Sequence, residues 1–114
     1  MMDQEKTAVS DIAVARAAAA AVTALPGVAD LSPGKAAEIA TYGPGETVRG
    51  VAVHRVDDAY VVDVHIIARY TPATNLQALA NRVRRAVTGA VEQLGAGRIQ
   101  RIDVTIDDLR GEEG

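Results

Sequence analysis

Apolar residues recur along this chain with two distinct periods, and the switch between them divides it into elements. From Asp11 to about Leu25, Ile12, Ala15, Ala19, Val22 and Leu25 recur at three and four residues, which predicts an amphipathic helix. Ser10 can cap its first turn, Asp11 suits the positive end of its dipole, and Pro26-Gly27 stops it. Between residues 26 and 47 the pattern breaks into turn signals: Pro26-Gly27, Ser32-Pro33-Gly34 and Gly43-Pro44-Gly45. This stretch reads as a connection, with a short helical turn around Ala36–Ala40.

The period then becomes two. Val48–Val56 and Tyr60–Tyr70 flank Asp57-Asp58-Ala59, a tight hairpin signal. Val62, Val64, Ile66 and Ala68, with Val51 and Val53, face one side. Val61, Asp63, His65, Ile67 and Arg69, with Ala52, His54 and Val56, face the other. Thr74 and Gln77 match a capping box. Beyond it Leu76, Leu79, Ala80, Val83, Ala86, Val87, Ala90, Val91 and Leu94 form one helical stripe, ended by Gly95 and Gly97. A last strand, Ile99–Leu109, sets Ile102, Val104 and Ile106 against Arg101, Asp103, Thr105 and Asp107.

The predicted class is α+β, in the order α-β-β-α-β: a three-stranded mixed sheet with both helices on one face. Residues 1–9 read as a polar tail, 10–109 as a single domain, and 110–114 as an acidic tail. The position of the last strand beside either of the others is left open by the pattern.

Composition narrows the chemistry. Among 114 residues, 12 Lys plus Arg against 15 Asp plus Glu leave a net charge of −3, unlike the basic excess of most nucleic-acid binders. Cysteine is absent, so disulfides, thiolate metal sites and cysteine nucleophiles are excluded. Phe and Trp are absent too, so the core must rest on close packing of small residues. No segment reaches the roughly 20 apolar residues of a membrane span, and the first residues lack the positive start of a signal peptide. The expected location is cytoplasmic, peripheral to a membrane through a partner.

Three constellations could carry function. The open sheet face, with Val61, Asp63, His65 and Ile67, reads as a half-apolar contact surface. Arg82, Arg84 and Arg85 form a basic cluster, suited either to an acidic protein surface or to a solvated helix face. His54, Asp63 and His65 share one face, with His54 expected near Asp63, and could hold a divalent metal; the plainer reading is a His–Asp hydrogen bond on a solvated strand. Ser10 and Ser32, the two serines, stand in a helix cap and a turn, outside any nucleophile motif. No catalytic residue and no cofactor are expected. The element order also resembles KH-like RNA-binding domains, but the GxxG at Gly111–Gly114 is acidic and terminal.

The chain resembles the alkaline shock protein (Gls-type) envelope stress response family of Gram-positive bacteria, particularly its short actinobacterial members. The resemblance is carried by Ala24-Leu25-Pro26-Gly27-Val28-Ala29, Arg49-Gly50-Val51, Val61–Ile67 with Tyr70, the helix Leu76–Leu94, and Ile102–Leu109. It departs at Tyr70–Leu76, where the family often has a Tyr-Gly-x-Asn-Ile turn, and at Gly95-Ala96-Gly97. The resemblance implies a non-enzymatic protein-interaction or scaffold module in envelope stress, with a small membrane-anchored protein of the same family as partner, or a homo-oligomer. Binding would use Val61, Asp63, His65 and Ile67 with help from Arg82, Arg84 and Arg85. Nucleic-acid binding and metal binding are the alternatives.

Overall fold

The computed structural model describes residues 9–111. Helix α1 spans Asp11–Thr23, followed by strands β1 (Val28–Leu31), β2 (Ala40–Gly43), β3 (Glu46–Arg49), β4 (Val51–Val56) and β5 (Ala59–Tyr70). Helix α2 (Leu76–Leu94) and strand β6 (Ile99–Gly111) complete it. The class is α+β, as expected. The order is not α-β-β-α-β, and the sheet is not a single three-stranded one: a four-stranded sheet stands beside a separate two-stranded hairpin, β2–β3.

β5 is the central strand. β6 runs parallel along one edge, from Tyr60↔Ile99 to Tyr70↔Gly111. The other edge is shared end to end by two antiparallel strands: β4 pairs with Ala59–Val64, and β1 with Ile66–Ala68. The seam falls at His65, whose carbonyl accepts from Ser32 N–H at 2.8 Å and whose N–H donates to the Gly50 carbonyl at 2.9 Å. The predicted strand Val48–Val56 is therefore broken at Gly50. That residue has φ +89°, and a Cβ there would lie 2.7 Å from the Cβ of Leu31. Only glycine lets the chain return to the edge where β1 left it.

The excursion between the two edge strands is the stretch read as turns. It holds no helical turn at Ala36–Ala40; three short strands of four residues each lie between 28 and 49. Such short strands carry too few alternating positions for periodicity to show. Thr41 docks the hairpin: its hydroxyl donates to the Val51 carbonyl at 2.7 Å and accepts from Val53 N–H at 3.2 Å. Those backbone groups belong to the outward edge of β4, so one threonine satisfies the start of that edge. Arg16 of α1 grips the hairpin from above, with Nε and Nη2 2.8 and 2.9 Å from the two oxygens of Glu46.

Both helices cover one face. Val14, Ala15, Ala18 and Val22 of α1 and Leu79, Val83, Val87 and Val91 of α2 pack on Val51, Val53, Tyr60, Val62, Val64, Ile66 and Ala68. In α1 the buried stripe is Val14-Ala15-Ala18-Val22, in place of the expected Ile12-Ala15-Ala19-Val22, and the helix ends at Thr23, not Leu25. Ser10 caps it as predicted, accepting from Ala13 N–H. The cap of α2 is Asn75, not Thr74: Asn75 Oδ1 accepts from Ala78 N–H at 2.9 Å, while Thr74 Oγ1 accepts from Thr71 N–H at 2.8 Å. Gly95 closes α2 with φ +67°. Asp57 and Asp58 both take positive φ in the two-residue turn between β4 and β5, the hairpin geometry their side chains tolerate.

The expected tail 1–9 lies outside the described residues apart from Val9. So do residues 112–114 and with them most of the Gly111–Gly114 motif. β6 runs through Gly111, past the expected boundary at Leu109.

Candidate functional site

No helix lies on the second face of the sheet among the described residues, and alternation places Val61, Asp63, His65 and Ile67 there, as read from the sequence. Val61 is only 6% exposed, sunk between its neighbours, so the face presents less apolar surface than the pattern promised. Asp63, His65 and Ile67 are half-buried.

His65 is the centre of this face. Its Nδ1 lies 2.9 Å from Asp107 Oδ2, and its Nε2 lies 3.6 Å from Asp63 Oδ1. The Asp107 side chain is 8% exposed. Burial by itself would raise the carboxyl's pKa. Hydrogen bonds from His65 and Ser32, with the charges of His65 and Lys35, outweigh it and hold Asp107 below its ordinary value. A register shift delivers Asp107 here. Ile66 pairs with Ile106 but Ile67 pairs with Asp108, so one extra residue of β6 bulges out beside His65. Sequence parity placed Asp107 on this face, but not against His65. That contact needs the parallel register of β6 and the bulge, neither of which periodicity carries.

The cluster orders its groups as Ser32, Asp107, His65 and Asp63. Ser32 hydrogen-bonds the carboxylate, and a hydroxyl placed there has no imidazole to take its proton. His54 is not opposite Asp63: it pairs with Val61, and Asp63 pairs with Ala52. The expected three-residue grouping is therefore not assembled, and among the described residues no group of three His, Cys, Asp or Glu could hold a metal ion. Asp63 and Asp103 sit side by side in the parallel register, with Arg101 Nε 2.9 Å from Asp103 Oδ2.

The arginines lie elsewhere. Arg82, Arg84 and Arg85 are exposed on α2, on the helix side of the sheet, so they and the four β5 residues do not form one continuous surface. Arg84 Nη1 donates to Asn81 Oδ1 at 2.9 Å, and its Nε reaches the Ile102 carbonyl on the outer edge of β6 at 3.3 Å. Arg82 lines a cavity of about 340 Å³ with Gly27, Arg69, Thr71, Asn75 and Leu79. No histidine or carboxylate lines that cavity. No helix among the described residues is long and apolar enough to cross a membrane.

A family model, the alkaline shock protein 23 family, described as having a cell envelope-related function, matches residues 2–111. No curated protein and no solved structure matches the chain.

Proposed function

The chain belongs to the alkaline shock protein family, a cell-envelope-related and generally non-enzymatic family, and from that premise we propose that it is a protein-interaction module of the envelope stress response. Its docking surface is the helix-free face of the sheet. Its partner is a membrane-associated protein.

The observation that carries this reading is the organised polar cluster at the centre of that face. A histidine half-buried between two carboxylates, one of them also hydrogen-bonded by Ser32 just past the end of β1, holds its groups in fixed positions. Fixed polar groups beside the half-buried Ile67 suit recognition, because little side-chain entropy remains to be lost on binding. The arginines of α2 lie across the sheet from this face and would meet a different part of an acidic partner, if the partner wraps the domain edge.

A photo-crosslinking side chain at Ile67 tests this in cells, with the same group at Gln93 on the exposed side of α2 as the control. The expected result is one discrete protein adduct in the membrane fraction from position 67 and none from 93. RNA adducts, or no protein adduct from position 67, would remove the open face as the protein-docking surface.

A further inference from the structure

The cavity of about 340 Å³ beside Arg82 has a one-sided chemistry. It lies where the end of β5 turns into α2 and follows the helix as far as Arg82, two turns in. Ala78 and Leu79 give it apolar lining; Thr71, Asn75, Arg69 and Arg82 give it polar lining. The polar side chains there have donors to spare. Asn75 Oδ1 is committed to Ala78 N–H as the helix cap, which turns the Nδ2 of the same amide away from the helix. The Thr71 hydroxyl accepts from Ala73 N–H at 3.2 Å, and its own proton has only a 3.3 Å contact with Thr74 Oγ1 to satisfy. Arg69 and Arg82 take part in none of the five ion pairs among the described residues.

The neighbouring sequence keeps acid away. The first turn of α2 carries no acidic residue, although carboxylates suit the positive end of a helix. The only acid along α2 is Glu92, in its last turn. In a chain of net charge −3, a cavity with two arginines and no carboxylate stands apart. Its chemistry calls for an anion with several acceptor oxygens. A carboxylate brings two oxygens and one charge, whereas a phosphate monoester brings three free oxygens and about −1.5 to −2 charges. Two cationic residues and the spare donors of Asn75 and Thr71 favour the second.

We infer that this cavity binds a phosphate monoester group. Arg82 meets it in the two-pronged geometry that guanidinium and phosphate share, and Arg69 adds a second positive charge at the wall. Asn75 Nδ2 and the Thr71 hydroxyl donate to the remaining oxygens. The volume stands at the lower end of the roughly 300–1,000 Å³ of ligand sites, so it takes the phosphate and a short organic stem beside Ala78 and Leu79. The other two arginines of the cluster stay outside: Arg84 is held by Asn81 and the Ile102 carbonyl, and Arg85 does not line the cavity. Asp63, His65 and Ile67 do not line it either, so this site and the docking face can fail separately.

Titration of the isotope-labelled full chain with inorganic phosphate and with glycerol phosphate, followed by amide chemical shifts, tests this. Saturable shifts should appear at Thr71, Asn75, Ala78 and Arg82, and none at His65 or Ile67. Arg82→Gln, at an exposed residue, should weaken binding by about tenfold or more in Kd. Arg85→Gln, one turn further along α2 and equally exposed, should change it by less than about twofold. Asn75→Asp keeps an oxygen to cap α2 but replaces the donor with a negative charge, so binding should be lost with an unchanged circular dichroism spectrum. Flotation with phosphatidylcholine vesicles, with and without phosphatidic acid, separates the sources of the phosphate. Binding to the phosphatidic acid vesicles alone assigns the cavity to a lipid headgroup; binding to the soluble probes assigns it to a small molecule. No saturable shift and no flotation, binding equally sensitive to Arg82→Gln and Arg85→Gln, binding indifferent to Asn75→Asp, or binding of polyglutamate in place of every phosphate probe would overturn the proposal.

Discussion

The imidazole Nδ1 of His65 lies 2.9 Å from the Asp107 carboxylate, 42 residues further along the chain. The same histidine, through its backbone, joins the ends of β1 and β4. One residue thus ties three strands together, two by its main chain and one by its side chain.

Acid should weaken this tie. The folded-state pKa of Asp107 is lowered, so its ionised form contributes stability above the ordinary carboxylate value, and that contribution is lost as pH falls through the folded value. Asp107→Asn removes that carboxyl and with it its share of the acid dependence. Urea denaturation from neutral pH down to about pH 3, spanning the ordinary carboxylate range, should show a shallower acid decline in the variant. Parallel pH curves for the two proteins would mean that the Asp107 contact does not contribute.

Thr41 predicts a sharp difference between two small changes. Thr41→Val keeps the shape but strands the Val51 carbonyl and the Val53 N–H, both near a buried hydroxyl, at a cost of about 2–3 kcal/mol. Thr41→Ser keeps both hydrogen bonds and should lose less than half as much. Equal losses in denaturant titration would show that the methyl, not the hydroxyl, docks the hairpin.

Ile66 and Ile67 are sequence neighbours on opposite faces. Ile66 is fully buried beneath the helices, and truncation to Ala should cost about 2–5 kcal/mol. Ile67 is half-buried on the open face, and the same truncation should cost roughly 1 kcal/mol or less, in proportion to the smaller area it removes from water. Similar losses at both positions would mean that something covers the open face.

The resemblance of the chain to its family was legible at Ala24–Ala29, Val61–Ile67 and Ile102–Leu109, and the family match over residues 2–111 agrees with it. The alternation of β5 separated Ile66 from Ile67 correctly, and the spacing of Leu79, Val83, Val87 and Val91 defined the buried stripe of α2. The same reasoning missed β1–β3, because strands of four residues between turn residues carry no measurable period. It misplaced the α2 cap because Thr74 and Asn75 are both capping residues, and which one serves depends on Thr71, whose N–H takes up the Thr74 hydroxyl.

What the sequence by itself determined is local: the periods that make α1, α2, β5 and β6, the turn at Asp57-Asp58, and which side chains share a face. These follow from interactions within a few residues, where one chain carries all the information. Tertiary structure alone decided what meets across the chain: the parallel register of β6 on β5, the bulge that carries Asp107 to His65, the seam at Gly50, and the separation of Arg82, Arg84 and Arg85 from the open face. Those depend on how far one element slides past another, and that is set by packing the whole core at once.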